Sequence, residues 1–238
     1  MDKQPVIFKD LGIIDYKSAW DYQETLLQEN VAIKSAARVN QSRIPANLLP
    51  TQNYFLICEH TPVYTLGKSG DIDNVLLSEE QLEAKGIEFF RTNRGGDITF
   101  HGLQQIVGYP ILDLEKFYTD IGVYLRNMEE AIILTIAEYG IKGQRSKGET
   151  GVWVDPGIPG KERKIAAIGV RCSRWITMHG FALNVNTDLD YFNNIIPCGI
   201  QNKQVTSIEK ETGAKVNYEE VKQKLKKNFE KIFNVELY

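Results

Sequence analysis

The stretch that decides the fold spans residues 164–185 and reads KIAAIGVRCSRWITMHGFALNV. Its two parts, Lys164–Val170 and Trp175–Val185, are apolar runs rich in the β-branched and aromatic side chains that strands favour. Residues 171–174 between them are more polar. We therefore predict two strands here, the second of which contains His179 and Gly180.

Further strands and helices are predicted on both sides of this stretch. The predicted strands are Tyr54–Cys58, Gly86–Arg91, Ile106–Leu114 and Gly151–Asp155, and the predicted helices are Tyr16–Asn40, Thr119–Tyr139 and Tyr218–Phe233. Strands dominate the middle of the chain, and helices lie before, between and after them. Because strands and helices do not alternate regularly, the pattern predicts an α+β fold, a mixed β-sheet with flanking helices, rather than a doubly wound sheet.

Composition narrows the class of protein. The 238 residues carry a net charge of −3 and are 42% hydrophobic, and we expect one domain over residues 1–238 with an inserted loop at residues 41–52. A nucleic-acid-binding protein normally has a basic excess, and a membrane span requires about 20 consecutive apolar residues. The sequence therefore predicts no nucleic-acid or membrane partner. The amino end lacks a secretory pattern and three scattered cysteines make no disulfide framework, so we expect a cytoplasmic protein.

Cys198 is the cysteine whose local sequence favours a role in chemistry. It lies between Pro197 and Gly199, two residues typical of turns, where a thiol is displayed rather than packed. Cys58 stands in an apolar run and is expected in the core, and Cys172 has no neighbour that would activate it. No Cys-x-x-Cys motif occurs and we expect no close cysteine–histidine pair, so the sequence predicts no metal site.

A catalytic cysteine needs a basic or positive neighbour, because a free thiol is mostly protonated at neutral pH. Lys164 directly precedes the small and apolar residues 165–169. Its position alone is equally typical of a solvated lysine at the start of a strand. His101 and His179 each precede a glycine, which indicates either a crowded site or two structural hydrogen-bond partners.

Residues 94–101, RGGDITFH, form the second informative block. Paired glycines allow a backbone to pass close to a ligand and offer it N–H donors, although a sharp turn between strands has the same pattern. The block is not a Walker loop and does not match Gly-x-Gly-x-x-Gly. Small residues recur in this block and in the two central strands, and together they predict room for a slender ligand. They are Gly95, Gly96, Ala166, Ala167, Gly169 and Gly180.

Five motifs, in this order, resemble the lipoyl(octanoyl) transferase family. They are residues 94–102 with 105–114 (RGGDITFHG and QIVGYPILDL), residues 148–154 (GETGVWV), the block that begins at Lys164, residues 179–186 (HGFALNVN) and residues 197–199 (PCG). The resemblance covers residues 54–208. This sequence departs from the family pattern at Asp97, where glutamine is common, and at Leu103-Gln104, which replace proline and glycine. Both departures lie in the expected ligand loop.

The resemblance implies a fold shared with biotin- and lipoate-protein ligases and a cysteine-based acyl transfer without a cofactor. Cys198 would take the octanoyl group from octanoyl-acyl carrier protein as a thioester, and Lys164 would pair with it. The acceptor would be a lysine on apo lipoyl domains of 2-oxoacid dehydrogenases and of the glycine cleavage H protein. By the same resemblance, the substrate-binding residues are Arg94, Gly95, Gly96, Asp97, Ile98, Thr99, Phe100, His101, Ala167, Ile168, Gly169, Gly180, Phe181 and Ala182.

Three other functions stay open at this point. An ATP-dependent lipoate- or biotin-protein ligase would share the fold but needs no cysteine nucleophile. A non-catalytic protein that binds the acyl carrier would keep the pocket without the chemistry, and the presence of both Lys164 and Cys198 disfavours it. A cysteine hydrolase would admit water to the thioester. The lysine-rich helix 218–233 could face an acidic carrier protein, but a solvated helix face is the more common explanation.

Overall fold

The structure is a computed structural model that describes residues 3–41, 43–196 and 204–238. Its helices are α1 (Tyr16–Val39), α2 (Glu79–Ala84), α3 (Ile121–Ala137), α4 (Ile208–Thr212) and α5 (Tyr218–Phe233). Its strands are β1 (Gln4–Ile13), β2 (Tyr54–Glu59), β3 (Val63–Leu66), β4 (Glu88–Arg91), β5 (Ile98–His101), β6 (Gln105–Ile111), β7 (Gly143–Ser146), β8 (Glu149–Val154), β9 (Arg163–Ser173), β10 (Ile176–Asn184), β11 (Gln204–Val205) and β12 (Val235–Leu237).

A large mixed sheet organises the molecule. Its strands follow the order β12-β1-β2-β6-β10-β9-β8-β7, and β11 adds to β9. The pairs β12–β1, β1–β2 and β9–β11 are parallel, and the other pairs are antiparallel. A smaller sheet has the order β4-β3-β5. The predicted α+β fold with a mixed sheet and flanking helices is confirmed.

Two hydrophobic cores lie on the two faces of the large sheet. On one face, Leu27 of α1 packs with Leu56 of β2 and Met178 of β10. On the other face, Phe55 of β2 stacks against Phe229 of α5 with 4.1 Å between ring centroids. Neighbouring residues along β2 thus serve opposite cores, because side chains alternate across a strand. The sheet is therefore covered on both sides by helices.

The stretch quoted first forms the hairpin of β9 and β10. Ser173 pairs with Ile176, so the loop consists of Arg174 and Trp175, whose φ angles are +50° and +65°. Positive φ at both central positions is typical of the type I′ turn, which matches the twist of the strands. Lys34 of α1 donates a hydrogen bond to the carbonyl oxygen of Arg174 over 3.0 Å and fixes this turn.

The three predicted helices are confirmed, with α3 beginning two residues later than predicted. Asp120 is its N-cap and accepts a hydrogen bond from the backbone N–H of Val123. The central strands are confirmed within a few residues. The pattern does not predict β1, β3, β5, β7, β11 or β12. Five of these strands have two to four residues, whereas β1 has ten, of which only Val6 is buried, so it lacks the apolar run that marks a strand. Residues 41–52, predicted as a loop, include a short 3₁₀ turn at Ala46–Leu48. Within the described residues, no helix is long and apolar enough to cross a membrane.

Candidate active site

A cavity of about 570 Å³ lies along β9 and β10 and beneath the loop of residues 94–97. The loop and the sheet approach each other closely. The backbone N–H of Gly95 donates to the carbonyl oxygen of Val170 over 2.9 Å. A Cβ atom at Gly169 would lie only 2.7 Å from the carbonyl oxygen of Gly95. Glycine at position 169 is therefore required for the loop to close over the strand.

Most of the residues predicted for the site line this cavity. They are Lys164, Arg94, Gly95, Gly96, Asp97, Ile98, Thr99, His101, Ala167, Ile168, Gly169, Gly180, Phe181 and Ala182. Phe100 does not. Its ring stacks on Tyr191 with 4.5 Å between centroids and 5° between ring planes. Phe100 thus supports the small sheet instead of facing the cavity. Cys198 lies outside the described residues.

Arg94 shapes the loop over the cavity. The side chain is buried, and its Nη2 atom donates to the carbonyl oxygen and to Oγ1 of Thr65 in β3. Its Nη1 atom donates to the carbonyl oxygen of Gly95 over 3.0 Å. Gly96 takes a φ of +85°, which glycine adopts without steric cost. Arginine and glycine in this block therefore build the loop conformation, as well as lining the cavity.

Lys164 places a positive charge at the cavity. It stands on β9 opposite Trp153 of β8 and beside Val205 of β11. Its Nζ atom lies 4.6 Å from the centre of the Trp153 ring. A cation over an indole face is stabilised by the ring quadrupole. The lysine is half-buried and directed by Trp153. Trp153 lies in the motif of residues 148–154, but the sequence alone assigns it no role.

A cluster of buried aromatic and histidine side chains closes one part of the site. His60 belongs to this cluster, since its ring contacts those of Tyr16 and His101. The sequence alone did not predict a role for it. Its Nε2 atom accepts from the hydroxyl of Tyr109 over 2.7 Å, and its Nδ1 atom lies 2.8 Å from the carbonyl oxygen of Ile14. The ring of His101 stacks against Tyr16 at 6.0 Å. Burial lowers the pKa of His60 to about 4 and holds that of His101 well below its ordinary value, so both are neutral.

His60 also corrects one expectation about the cysteines. Its Nε2 atom lies 3.5 Å from Sγ of Cys58, so the expectation of no close cysteine–histidine pair is wrong. Burial raises the pKa of the Cys58 thiol. Cys58 is thus part of the core, as predicted, and stays protonated. Within the described residues, no group of three or more such side chains is placed to hold a metal ion.

His179 has an unusual backbone for a residue in the middle of a strand. Its φ is +58°, a conformation that costs free energy in residues with a Cβ atom. Its N–H donates to Oε1 of Gln23 over 2.9 Å, and its Nε2 atom lies 2.7 Å from Oδ1 of Asn93. Burial, with Arg94 nearby, lowers the pKa of His179 to about 3. His179 thus ties β10 to α1 through its backbone N–H and to Asn93, the residue before the Arg94 loop, through its neutral ring.

A buried polar chain connects the cavity to the strand beside Lys164. Gln105 donates from Nε2 to Oδ1 of Asn184 over 2.9 Å, and Asn184 donates from Nδ2 to the carbonyl oxygen of Thr206 over 3.0 Å. The N–H of Thr206 donates to the carbonyl oxygen of Lys164 over 2.9 Å. Asn184 therefore fixes the chain that follows β11 against β9, a role the sequence motif does not reveal.

The lysines of α5 are largely engaged within the molecule. Lys222 contacts Asp10 over 2.6 Å and Lys224 contacts Glu220 over 2.6 Å. The Nζ atom of Lys226 lies 3.7 Å from the ring centre of Phe8. These contacts favour a structural role over a surface reserved for an acidic partner.

Comparison with known proteins gives a consistent result. The family model of the lipoyl protein ligase A/B catalytic domain matches residues 15–230. The chain is 59% identical to an octanoyltransferase of Christiangramia forsetii over 100% of this chain and 99% of the relative. It is 62% identical to an octanoyltransferase of Flavobacterium psychrophilum over 95% of each chain.

Solved structures agree on the fold. A bipartite lipoate protein ligase from Thermoplasma acidophilum superposes with a TM-score of 0.69 at 14% identity and covers 100% of this chain and 86% of that one. A lipoate-protein ligase A bound with ATP gives a TM-score of 0.67 at 14% identity, with 100% and 88% covered. At this identity the likeness shows the fold alone, and the implied lipoate-ligase architecture is confirmed.

Proposed function

The chain belongs to the lipoyl protein ligase A/B catalytic domain family, and we propose that it transfers an octanoyl group from acyl carrier protein to a lysine of apo lipoyl domains. The observation that carries the proposal is the placement of Lys164 on the wall of a cavity of about 570 Å³ that is lined in part by glycine and alanine, in a chain 59% identical to an octanoyltransferase. The cavity fits an acyl chain, and the lysine supplies a charge at its side.

The proposed reaction has two steps and a covalent intermediate. In the first, the thiolate of Cys198 attacks the octanoyl thioester, the carbon–sulfur bond to the carrier breaks, and the carrier leaves as a thiolate that takes up a proton. In the second, the ε-amine of the target lysine attacks the octanoyl-S-enzyme, an amide forms, and Cys198 leaves as a thiolate. A thioester is more reactive than an amide, so the sequence of steps needs no ATP.

Lys164 supports both steps in this proposal. A positive charge near Cys198 favours its thiolate. The ammonium can pass a proton to the departing carrier thiolate, and the amine so formed can take one from the attacking amine in the second step. Trp153 keeps the ammonium directed, since its ring faces the Nζ atom at 4.6 Å. The Arg94 loop and the glycines 95 and 169 enclose the acyl chain.

The octanoyltransferase relatives favour transfer over ligation. A ligase activates a free acid with ATP, whereas the relatives at 59% and 62% identity are both octanoyltransferases. The proposal includes lipoyl domains of 2-oxoacid dehydrogenases and of the glycine cleavage H protein as acceptors, and the whole chain as one catalytic domain. A mechanism that needs a reduced thiol suits a reducing compartment, so the cytoplasm is the proposed location.

Intact-protein mass measurement tests the proposal directly. The protein is mixed with octanoyl-acyl carrier protein, with a chelator present and nucleotide omitted, and an apo lipoyl domain is added second. We expect one octanoyl group on the enzyme and then its transfer to the lipoyl domain. Transfer from free octanoate that depends on ATP would instead identify a ligase, and release of free octanoate would identify a hydrolase.

A further inference from the structure

Asp97, one of the two departures from the family pattern, makes two hydrogen bonds at the edge of the cavity. Its Oδ1 atom accepts from the backbone N–H of Ile98 over 2.7 Å, and its Oδ2 atom accepts from Nδ2 of Asn74 over 2.8 Å. The first bond holds the side chain against its own strand. The second links the Arg94 loop to a segment 23 residues earlier in the chain. A carboxylate acceptor makes such a bond stronger than a neutral one.

Asn74 continues this link through its backbone. Its carbonyl oxygen accepts from the N–H of Ile196 over 2.8 Å. Val75 and Ile195 form an antiparallel bridge, and the N–H of Leu76 donates to the carbonyl oxygen of Asn194 over 2.9 Å. Residues 74–76 and 194–196 therefore make a short ladder, and the side chain of Asn74 fastens it to Asp97.

The loop that carries Asp97 is itself held firmly. The N–H of Lys68 donates to the carbonyl oxygen of Arg94 over 2.9 Å, and that of Ser69 donates to the carbonyl oxygen of Gly96 over 3.2 Å. Together with the bond from Gly95 to Val170 on β9, these contacts tie the loop to the two sheets. The hydrogen bond to Asp97 therefore holds the side chain of Asn74 against a loop that is fixed at the cavity.

Ile196 precedes Cys198 by two residues. We infer that Asp97 is a positioning residue, which through Asn74 sets where the chain enters the segment that carries the thiol. This inference rests on the proposed function for its meaning in catalysis. Misplacement of a reacting group by about 1 Å costs on the order of 100-fold in rate. We therefore expect loss of the hydrogen bond between Asn74 and Asp97 to lower the rate of acylation.

The test exchanges the two side chains. Asn74→Asp sets two carboxylates against each other and breaks the bond. Asn74→Asp combined with Asp97→Asn restores a carboxylate–amide pair in the opposite sense. Asp97→Ala removes the bond without adding charge. Asp73→Asn is the matched control, since Asp73 is an exposed neighbour of Asn74.

The readout is the rate of alkylation of Cys198 by iodoacetamide, divided by that of the exposed Cys172 in the same sample, followed by acylation from octanoyl-acyl carrier protein. We expect at least a tenfold change in the alkylation ratio and a tenfold loss of acylation for Asp97→Ala and Asn74→Asp. The exchanged double variant should return both to within threefold of wild type. Thermal melting of each variant shows whether it is folded.

Two outcomes overturn the inference. One is an alkylation ratio in Asp97→Ala equal to wild type and to Asp73→Asn. The other is an exchanged double variant that is folded but no more reactive than Asn74→Asp. If the bond only stabilised the fold, its loss would lower the melting temperature and leave the ratio of Cys198 to Cys172 alkylation unchanged. Alkylation needs no acyl substrate, so absence of acyl-enzyme in the wild type would count against the proposed function and not against this link.

Discussion

The Nζ atom of Lys164 lies 4.6 Å from the centre of the Trp153 ring, on adjacent strands of the large sheet. Trp153 is buried, so neighbouring side chains restrict the position of its ring. A cation–π contact at a partly desolvated site contributes about 0.5–2 kcal/mol. This pair therefore restricts where the ammonium of Lys164 can lie, and it links a core residue to the chemistry proposed for the cavity.

Loss of the Trp153 ring is predicted to slow acylation. Trp153→Leu should lower the single-turnover rate of acylation about tenfold, since 1.4 kcal/mol corresponds to a factor of ten. Trp153→Phe keeps an aromatic face and should lose less. Rapid-quench mass measurement gives the rates. Equal losses in the two variants would show that the ring acts by packing and not through its interaction with Lys164.

Lys164→Ala is predicted to raise the pKa of the Cys198 thiol, because in the proposed mechanism the charge of Lys164 favours the thiolate and the variant lacks that charge. The rate of alkylation of Cys198, measured against pH, should reach its midpoint at a lower pH in wild type than in the variant. Lys161→Ala, at an exposed lysine in the turn before β9, is the control and should follow the wild-type curve. Coincident curves for wild type and Lys164→Ala would mean that Lys164 does not activate the thiol.

Gly169 and Ala167 are predicted to respond differently to enlargement. A Cβ at Gly169 would lie 2.7 Å from the carbonyl oxygen of Gly95, so Gly169→Ala displaces the loop and should reduce transfer of every acyl chain about tenfold. Ala167 already has a Cβ and lines the cavity. Ala167→Leu should shift preference toward shorter chains by about fourfold per methylene, at about 0.8 kcal/mol each.

Values of kcat/KM with hexanoyl-, octanoyl- and decanoyl-acyl carrier protein separate these effects. The expected pattern is a uniform loss for Gly169→Ala and a changed order of preference for Ala167→Leu. A changed order for Gly169→Ala, with no general loss, would show that the loop accommodates a side chain there. An unaltered order for Ala167→Leu would place the acyl chain away from this residue.

Features set by local sequence were predictable. The helix α1 follows from its apolar spacing and begins after the capping residue Asp15, whose side chain accepts from Ser18. The strands β9 and β10 follow from their apolar content. By contrast, β3 is four residues long and buried throughout, so it has neither the length nor the alternation that marks a strand.

The site was predictable where the motif itself supplies the lining and not where distant residues meet. Most of the residues taken from the family resemblance line the cavity. Phe100 points away from Thr99 and His101, because neighbouring residues along a strand face opposite ways. His60 meets Tyr109 from 49 residues away. Asn74 meets Asp97, and Asn184 meets Thr206, only because the sheets bring them together. The residues of each pair are far apart in the sequence, so no local sequence pattern predicts these contacts.

The neutral buried histidines lead to a prediction about stability at mildly acidic pH. Burial lowers the pKa of His60 to about 4 and that of His179 to about 3, from an ordinary 6.5. Between these values and 6.5 the unfolded chain binds more protons than the folded one, so the free energy of unfolding falls as pH falls. The slope approaches about 1.4 kcal/mol per pH unit for each histidine.

Urea unfolding at pH 7.5, 6.5, 5.5 and 5.0 measures this slope, in a range above the ordinary pKa of carboxylates. His60→Gln keeps an amide able to donate to Ile14 and to accept from Tyr109, but it does not titrate. We therefore expect a smaller loss of stability between pH 6.5 and 5.0 in His60→Gln than in wild type, even if the variant is less stable at pH 7.5. Parallel stability curves for the two proteins would show that His60 does not contribute to the pH dependence of unfolding.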